Sequence, residues 1–289
     1  MIKLQTPVTD EKCKVGISYS DKIMMLGSCF SDNIGQKFKD YGFDVCINPF
    51  GTLYNPVSIL NSLKMICGER TFSENDCVQI GAGDERWCSF YHHTSFARAS
   101  KEEFLANANQ ALQSAMEQFA QADKIIITLG TSWCFRHLSR EMIVSNCLKH
   151  PSGEFCRERL SATEITDSLK TIAELCSTGK QKQIIFTVSP IRHFKDGAHG
   201  NQISKSSLLV GIDDFLNSTD FQADYFPSYE IVMDELRDYR FYAEDMCHPS
   251  AQTTNYICER FLEWALPSNE KSTLEENIRQ FKHKSHRQL

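Results

Sequence analysis

The sequence predicts an α/β fold, an open and mainly parallel sheet wound in both directions from its centre with helices on both faces. Three observations predict it. Lys124-Ile125-Ile126-Ile127-Thr128-Leu129 and Gln183-Ile184-Ile185-Phe186-Thr187-Val188 are continuously apolar instead of alternating, as strands buried on both faces must be. Between such runs the apolar residues recur at spacings of three and four, as in Phe104, Leu105, Ala108, Leu112, Ala115, Met116 and Phe119. Strands that alternate with helices in this way join through right-handed crossovers and place helices on both sides of a parallel sheet.

Taken in order, Ile23-Met24-Met25-Leu26 reads as the first strand and runs into Gly27-Ser28-Cys29-Phe30. Ser31 reads as a helix N-cap, with Ile34, Phe38 and Tyr41 at helical spacing and Gly42 as the stop. Phe43-Asp44-Val45-Cys46-Ile47 is a second short strand, and Asn55-Pro56 opens a helix carrying Val57, Ile59, Leu60, Leu63 and Ile66. Residues 71–98 break the pattern around Gly81-Ala82-Gly83-Asp84 and predict a hairpin or irregular excursion. Ser161-Ala162-Thr163-Glu164 is a capping box ahead of another helix. A helix over 204–215, an edge strand over 224–231 and a last helix from Pro249 to about Ala265 complete the layout. Residues 1–266 are expected to form one domain, with 267–289 as a helical or flexible tail.

With 289 residues, 41% of them hydrophobic, 24% charged and a net charge of -6, the chain has the composition of a soluble globular protein. The acidic balance gives no field for nucleic acid or an anionic membrane, and no apolar stretch is long enough to span a bilayer. The basic run Lys282-His283-Lys284-Ser285-His286-Arg287 reads as a solvated end. The first residues lack the sustained apolar segment of an export signal, so the expected location is cytoplasmic. Twelve cysteines are scattered without Cys-x-x-Cys pairs or zinc-ligand spacing, so they are expected to be mostly reduced and buried, and no metal or other cofactor is expected. Tyr91-His92-His93 does not change this, since adjacent residues on an extended segment face opposite ways. Nor does any Gly-rich phosphate loop point to a nucleotide.

Chemistry concentrates at two distant places. Gly27-Ser28-Cys29 lies where a strand meets a helix N-terminus, a setting that favours negative charge and would lower the pKa of a thiol. Read more plainly, Gly27 makes a tight turn and Ser28 caps the helix. Asp245-Met246-Cys247-His248-Pro249-Ser250 supplies an imidazole at a helix start with a carboxylate three residues before it, able to hold the far ring nitrogen. Together the two segments provide a nucleophile, a base and an orienting acid.

These residues resemble the SGNH/GDSL hydrolase superfamily, and Gly27-Ser28-Cys29-Phe30-Ser31 is similar to the motif of its GSCFA family. Further support comes from the segment Asn48 to Pro56, from Thr128-Leu129-Gly130-Thr131-Ser132-Trp133, from Ser189-Pro190-Ile191-Arg192-His193 and from the run Asp238 to Asp245. The resemblance implies a three-layer α/β/α sandwich and chemistry on ester bonds. It puts Cys29 at the superfamily's serine position and Ser28 at its aspartate position, while a one-residue shift of the turn exchanges them, so both stand as candidate nucleophiles. It also implies an oxyanion hole in which Gly51 supplies a backbone N–H and Ser132 stands where an asparagine amide is expected, with Asn55 or His193 as substitutes. Arg192 and His193 follow the strand that ends at Val188, where substrate groups would be held, although a surface ion pair is an equal reading of Arg192. The expected activity is hydrolysis of a small-molecule or carbohydrate ester. The alternatives are acyl transfer to a carbohydrate or metabolite acceptor, and a catalytically weakened protein that binds a glycan or acyl ligand.

Overall fold

The computed structural model describes residues 6–8 and 13–286. The first five positions and the last three, on which part of the export reading and the end of the basic run fall, lie outside the described residues. Five parallel strands form the central sheet: β1 (Lys22–Gly27), β2 (Asp44–Ile47), β5 (Lys124–Leu129), β9 (Gln183–Val188) and β10 (Ala223–Phe226). Their spatial order is β10-β9-β5-β1-β2, so the winding reverses between β1 and β5, where Met25 pairs with Ile126 and Gly27 with Thr128. Crevices at such reversals, at the carboxyl ends of the strands, are where open sheets of this kind bind ligands.

Alternate residues of the strands face two cores. Met24, Ile125, Ile127 and Phe186 meet α2 (Pro56–Ile66), α3 (Lys101–Gln121), α4 (Ala162–Cys176) and α5 (Gly197–Asn217). Met25, Ile126, Ile185 and Phe226 meet α1 (Cys29–Asp40) and α7 (Ala251–Ala265) on the other face. Full burial on both sides explains the unbroken apolar runs, and the result is a three-layer sandwich.

Between β2 and α3 the excursion holds two short antiparallel strands, β3 (Val78–Gln79) and β4 (Trp87–Cys88). A second insertion, which no residue pattern predicts, follows β5. It is a three-stranded antiparallel sheet of β6 (Trp133–His137), β7 (Met142–Val144) and β8 (Phe155–Arg159), with β6 central. These strands are short and partly exposed, so they carry neither a continuous apolar run nor a clean alternation. After β10 the chain is helical, through α6 (Ser228–Glu230) and a π-helical stretch Ile231–Leu236, so the expected edge strand ends at Phe226. The tail forms α8 (Lys271–His286), tied to the end of α1 by the Asn277 Nδ2–H donating to the carbonyl of Tyr41.

Three boundaries differ from expectation. The N-cap of α1 is Ser28, not Ser31, because the chain turns helical directly after Gly27. Helix α5 begins at Gly197, seven residues earlier than expected. The N-cap of α7 is Ser250, whose hydroxyl accepts from the Thr253 N–H, and Pro249 therefore stands ahead of the helix, bridged to Tyr242. All twelve cysteines are free, but only five are buried and Cys156 is exposed. Among the described residues no helix is long and apolar enough to cross a membrane, and no group of three or more His, Cys, Asp or Glu residues could hold a metal ion.

Candidate active site at the β1–α1 turn

Gly27 ends β1 at φ +144, and a Cβ there would lie 2.2 Å from the Thr128 carbonyl oxygen. Only glycine lets β1 close so tightly on β5 before the chain turns into α1. Asn48 braces the turn: its Oδ1 accepts from the Gly27 N–H at 2.8 Å and its Nδ2–H donates to Asp32 at 2.5 Å.

The turn gives the two candidate nucleophiles different fates. Ser28 has no exposed surface, and its Oγ is buried without a hydrogen-bond partner, packed near Gly130. Cys29, the first residue of α1, lines the cleft, and its Sγ lies 3.9 Å from Nε2 of His248. That is a loose contact for a thiol donating to an imidazole. On the far side of the ring the Nδ1–H donates to Asp245 Oδ2 at 2.5 Å, while Asp245 Oδ1 accepts from the backbone N–H groups of Cys247 and His248, both at 2.9 Å. Those three hydrogen bonds hold the Asp245 carboxyl at a pKa of about 2, so it is ionised at any working pH. Asp245 and His248 are both about half exposed, with side-chain accessibilities of 49% and 51%.

The thiol is not activated in the way the helix N-terminus suggests. Burial pushes its pKa up and the Asp32 carboxylate adds to the rise, whereas the amides of Cys29 and Phe30 and the Lys205 ammonium pull it down less strongly. At neutral pH the resting group is therefore a thiol, which could act as a nucleophile only with a base to take its proton.

Lys205, which belongs to none of the sequence motifs, is the buried amine behind this pair. It is 1% exposed, and its Nζ donates to the carbonyls of Gly130 and Ser189, both at 2.6 Å, tying together the residues that follow β5 and β9. Burial lowers its pKa to about 7. The signal was present: Lys205 stands three residues before Leu208 and seven before Ile212, on the buried stripe of α5.

The other expected site residues divide. The Gly51 N–H donates to the carbonyl of Asn48 at 2.8 Å inside the turn, at φ +81, and so is not free to hold an oxyanion. Ser132 has no exposed surface and does not line the cleft; its N–H is bonded to Ser204 Oγ, and its own hydroxyl is buried without a partner. Thr131 and Trp133 line the cleft in its place. Asn55 does line it, with its Oδ1 accepting from the Ser58 N–H and one Nδ2 hydrogen donated to Ser58 Oγ, which leaves the second amide hydrogen. His193 lines it too, held neutral by burial at a pKa of about 4, with Nε2 lacking a partner.

Arg192 also lines the cleft, but its main contacts are to the histidine loop. Its backbone N–H donates to the Cys247 carbonyl at 3.0 Å and its Nη1 to the Met246 carbonyl at 3.3 Å. Among the described residues Arg192 forms no surface ion pair. Of the adjacent histidines, His92 is fully buried among Phe50, Phe72 and Phe96, with Nδ1 on Ser89 Oγ and a pKa lowered to about 3, and His93 packs against Gly51.

The cleft is a cavity of about 470 Å³ between the carboxyl edge of the sheet and the β6–β8 insertion. A thiol, an imidazole and a carboxylate thus stand in line at the sheet reversal, and the family model described as GSCFA family matches residues 22–261, a span that includes all three. The chain belongs to the GSCFA family. No curated protein matches it. In this GSCFA chain the motif residues Gly27 to Ser31 form the turn itself, with Ser31 fully buried inside α1.

Proposed function

We propose that the protein is an ester hydrolase of the SGNH type in which Cys29 is the nucleophile, His248 the general base and then acid, and Asp245 the group that orients His248. One observation carries the reading: Cys29 Sγ stands 3.9 Å from His248 Nε2 while Asp245 holds the opposite ring nitrogen at 2.5 Å.

His248 Nε2 takes the thiol proton as sulfur bonds to the ester carbonyl carbon, and the carbonyl electron pair moves onto oxygen. The Cys29 and Phe30 amides at the start of α1 and the free Asn55 amide hydrogen are the donors nearest to hand for that oxyanion. When the tetrahedral adduct collapses, the carbon–oxygen bond to the alcohol breaks and the alkoxide receives the proton from His248. Water, deprotonated by the same imidazole, then releases the carboxylic acid from the thioester and returns the proton to sulfur. Asp245 stays ionised throughout and stabilises the imidazolium. With Gly51 and Ser132 turned away, the oxyanion has fewer donors than the resemblance implies. Each missing donor costs about 10²–10³ in rate, so slow turnover is expected.

Acyl transfer is the second reading. The cleft continues beyond the Cys29–His248 pair to Trp133, Phe135 and Arg157, which leaves room for an acceptor beside the thioester. Hydrolysis of a short-chain aryl ester, followed with and without carbohydrate acceptors, tests both. Turnover that is lost in Cys29→Ala supports the enzyme, and a rate raised by an acceptor supports transfer. Turnover that survives Cys29→Ala refutes both.

A further inference from the structure

We infer that the compound this cleft takes carries an anionic group, a carboxylate or a phosphate, seated against Lys195 and Arg192. The inference rests on the reading of Cys29 as the reacting group. What points to it is a cationic wall inside an acidic protein. The chain has a net charge of -6, yet the charged side chains lining the cleft are Arg157, Arg192 and Lys195 against the single carboxylate of Asp196.

That carboxylate is committed, because Asp196 Oδ2 accepts from Arg157 Nη2 at 2.6 Å. The other two cations have no carboxylate partner among the described residues. Arg192 gives one N–H to the Met246 carbonyl and lies over the rings of Phe194, at 4.2 Å from the centroid, and Tyr242, at 5.3 Å. Lys195 lies over Phe135 at 5.0 Å. Aromatic faces hold a cation in place without neutralising it, so its charge remains available to an incoming anion. A concave wall of one sign focuses its field into the cleft and raises the local concentration of the opposite ion. Tyr54, Trp133 and Phe135 line the same cavity and give the rest of the ligand a ring surface to lie on.

The field acts on any reagent that reaches Cys29, so the test needs no turnover. Alkylation of Cys29 by neutral iodoacetamide and by anionic iodoacetate is followed by peptide mass spectrometry, and the ratio of the two rates is normalised to that of free cysteine. The expected ratio favours iodoacetate by about tenfold at low ionic strength. It falls toward one in high salt and in Lys195→Gln, and below one in Lys195→Glu. Protection of Cys29 from iodoacetamide by glutarate identifies a carboxylate ligand, and protection by inorganic phosphate identifies a phosphate. A ratio at or below one that neither salt nor Lys195→Glu moves, or protection by neither anion at millimolar concentration, overturns the inference. Failed ester turnover with the ratio intact counts against the hydrolase alone; a failed ratio with turnover intact counts against the anionic ligand alone.

Discussion

The two halves of the candidate site are held by different physics. The Gly27-Ser28-Cys29 turn is locked from below by Thr128, by Asn48 and by two buried core faces. The loop that carries His248 is largely exposed. Polar contacts place it: Ala243 N–H to the His248 carbonyl at 2.7 Å, Ser250 N–H to the Phe241 carbonyl at 2.9 Å, Arg192 to Cys247 and Met246, and Asp245 to its own loop. The proposed nucleophile is thus a property of the core and the proposed base a property of a surface loop. Damage to the first should cost the fold, and damage to the second should cost only chemistry.

The sharpest break in that contrast is Gly27→Ala. A methyl group 2.2 Å from the Thr128 carbonyl cannot be accommodated without moving backbone, and a loss of more than about 3 kcal/mol in urea unfolding is expected. Wild-type stability in this variant would mean that the turn is not packed as described. Next is His248→Ala, for which activity should fall roughly 10²–10⁴-fold while the melting temperature stays at the wild-type value. A melting temperature that falls with the activity would erase the distinction between the two halves.

Ser28→Ala sharpens the comparison from inside the turn. Removing a hydroxyl that is buried and unpaired should leave stability within about 1 kcal/mol of wild type, or slightly raised, and leave turnover intact. Loss of activity in this variant would return the nucleophile to Ser28. The smallest effect is expected from Asp32→Asn. The Asp32 carboxylate raises the Cys29 pKa, so removing its charge lowers that pKa and should move the pH midpoint of Cys29 alkylation downward. A midpoint that stays put would show that burial alone sets the thiol.

Much of this architecture was legible from residue patterns. The strands at 124–129 and 183–188 appear at the expected residues because burial on both faces leaves their centres, 125–127 and 184–186, no polar position, and the Ser161 capping box forms as spelled, with the Ser161 hydroxyl accepting from the Glu164 N–H. The approach of His248 to the first turn follows from the winding, which brings both to the carboxyl edge of the sheet. What was not legible depends on single bonds. Whether Ser28 or Cys29 faces the cleft is set by where α1 begins, and two serine-capped starts, Ser28 and Ser31, lie within one turn of each other in the sequence. The Gly51 amide and the Ser132 hydroxyl read as donors until the turn from Asn48 and the start of β6 claim their surroundings. Arg192 reads as a substrate arginine or a surface ion pair, and only the fold shows that it also fastens the histidine loop.

The most direct measurement is the site of acylation. The protein is mixed with an activated aryl ester, quenched in acid within one turnover and digested for peptide mass spectrometry. The expected product is an acyl group on Cys29, labile to hydroxylamine at neutral pH as a thioester is, and absent from Cys29→Ala. An acyl group on Ser28, or turnover with no adduct on Cys29 at any time, would contradict it.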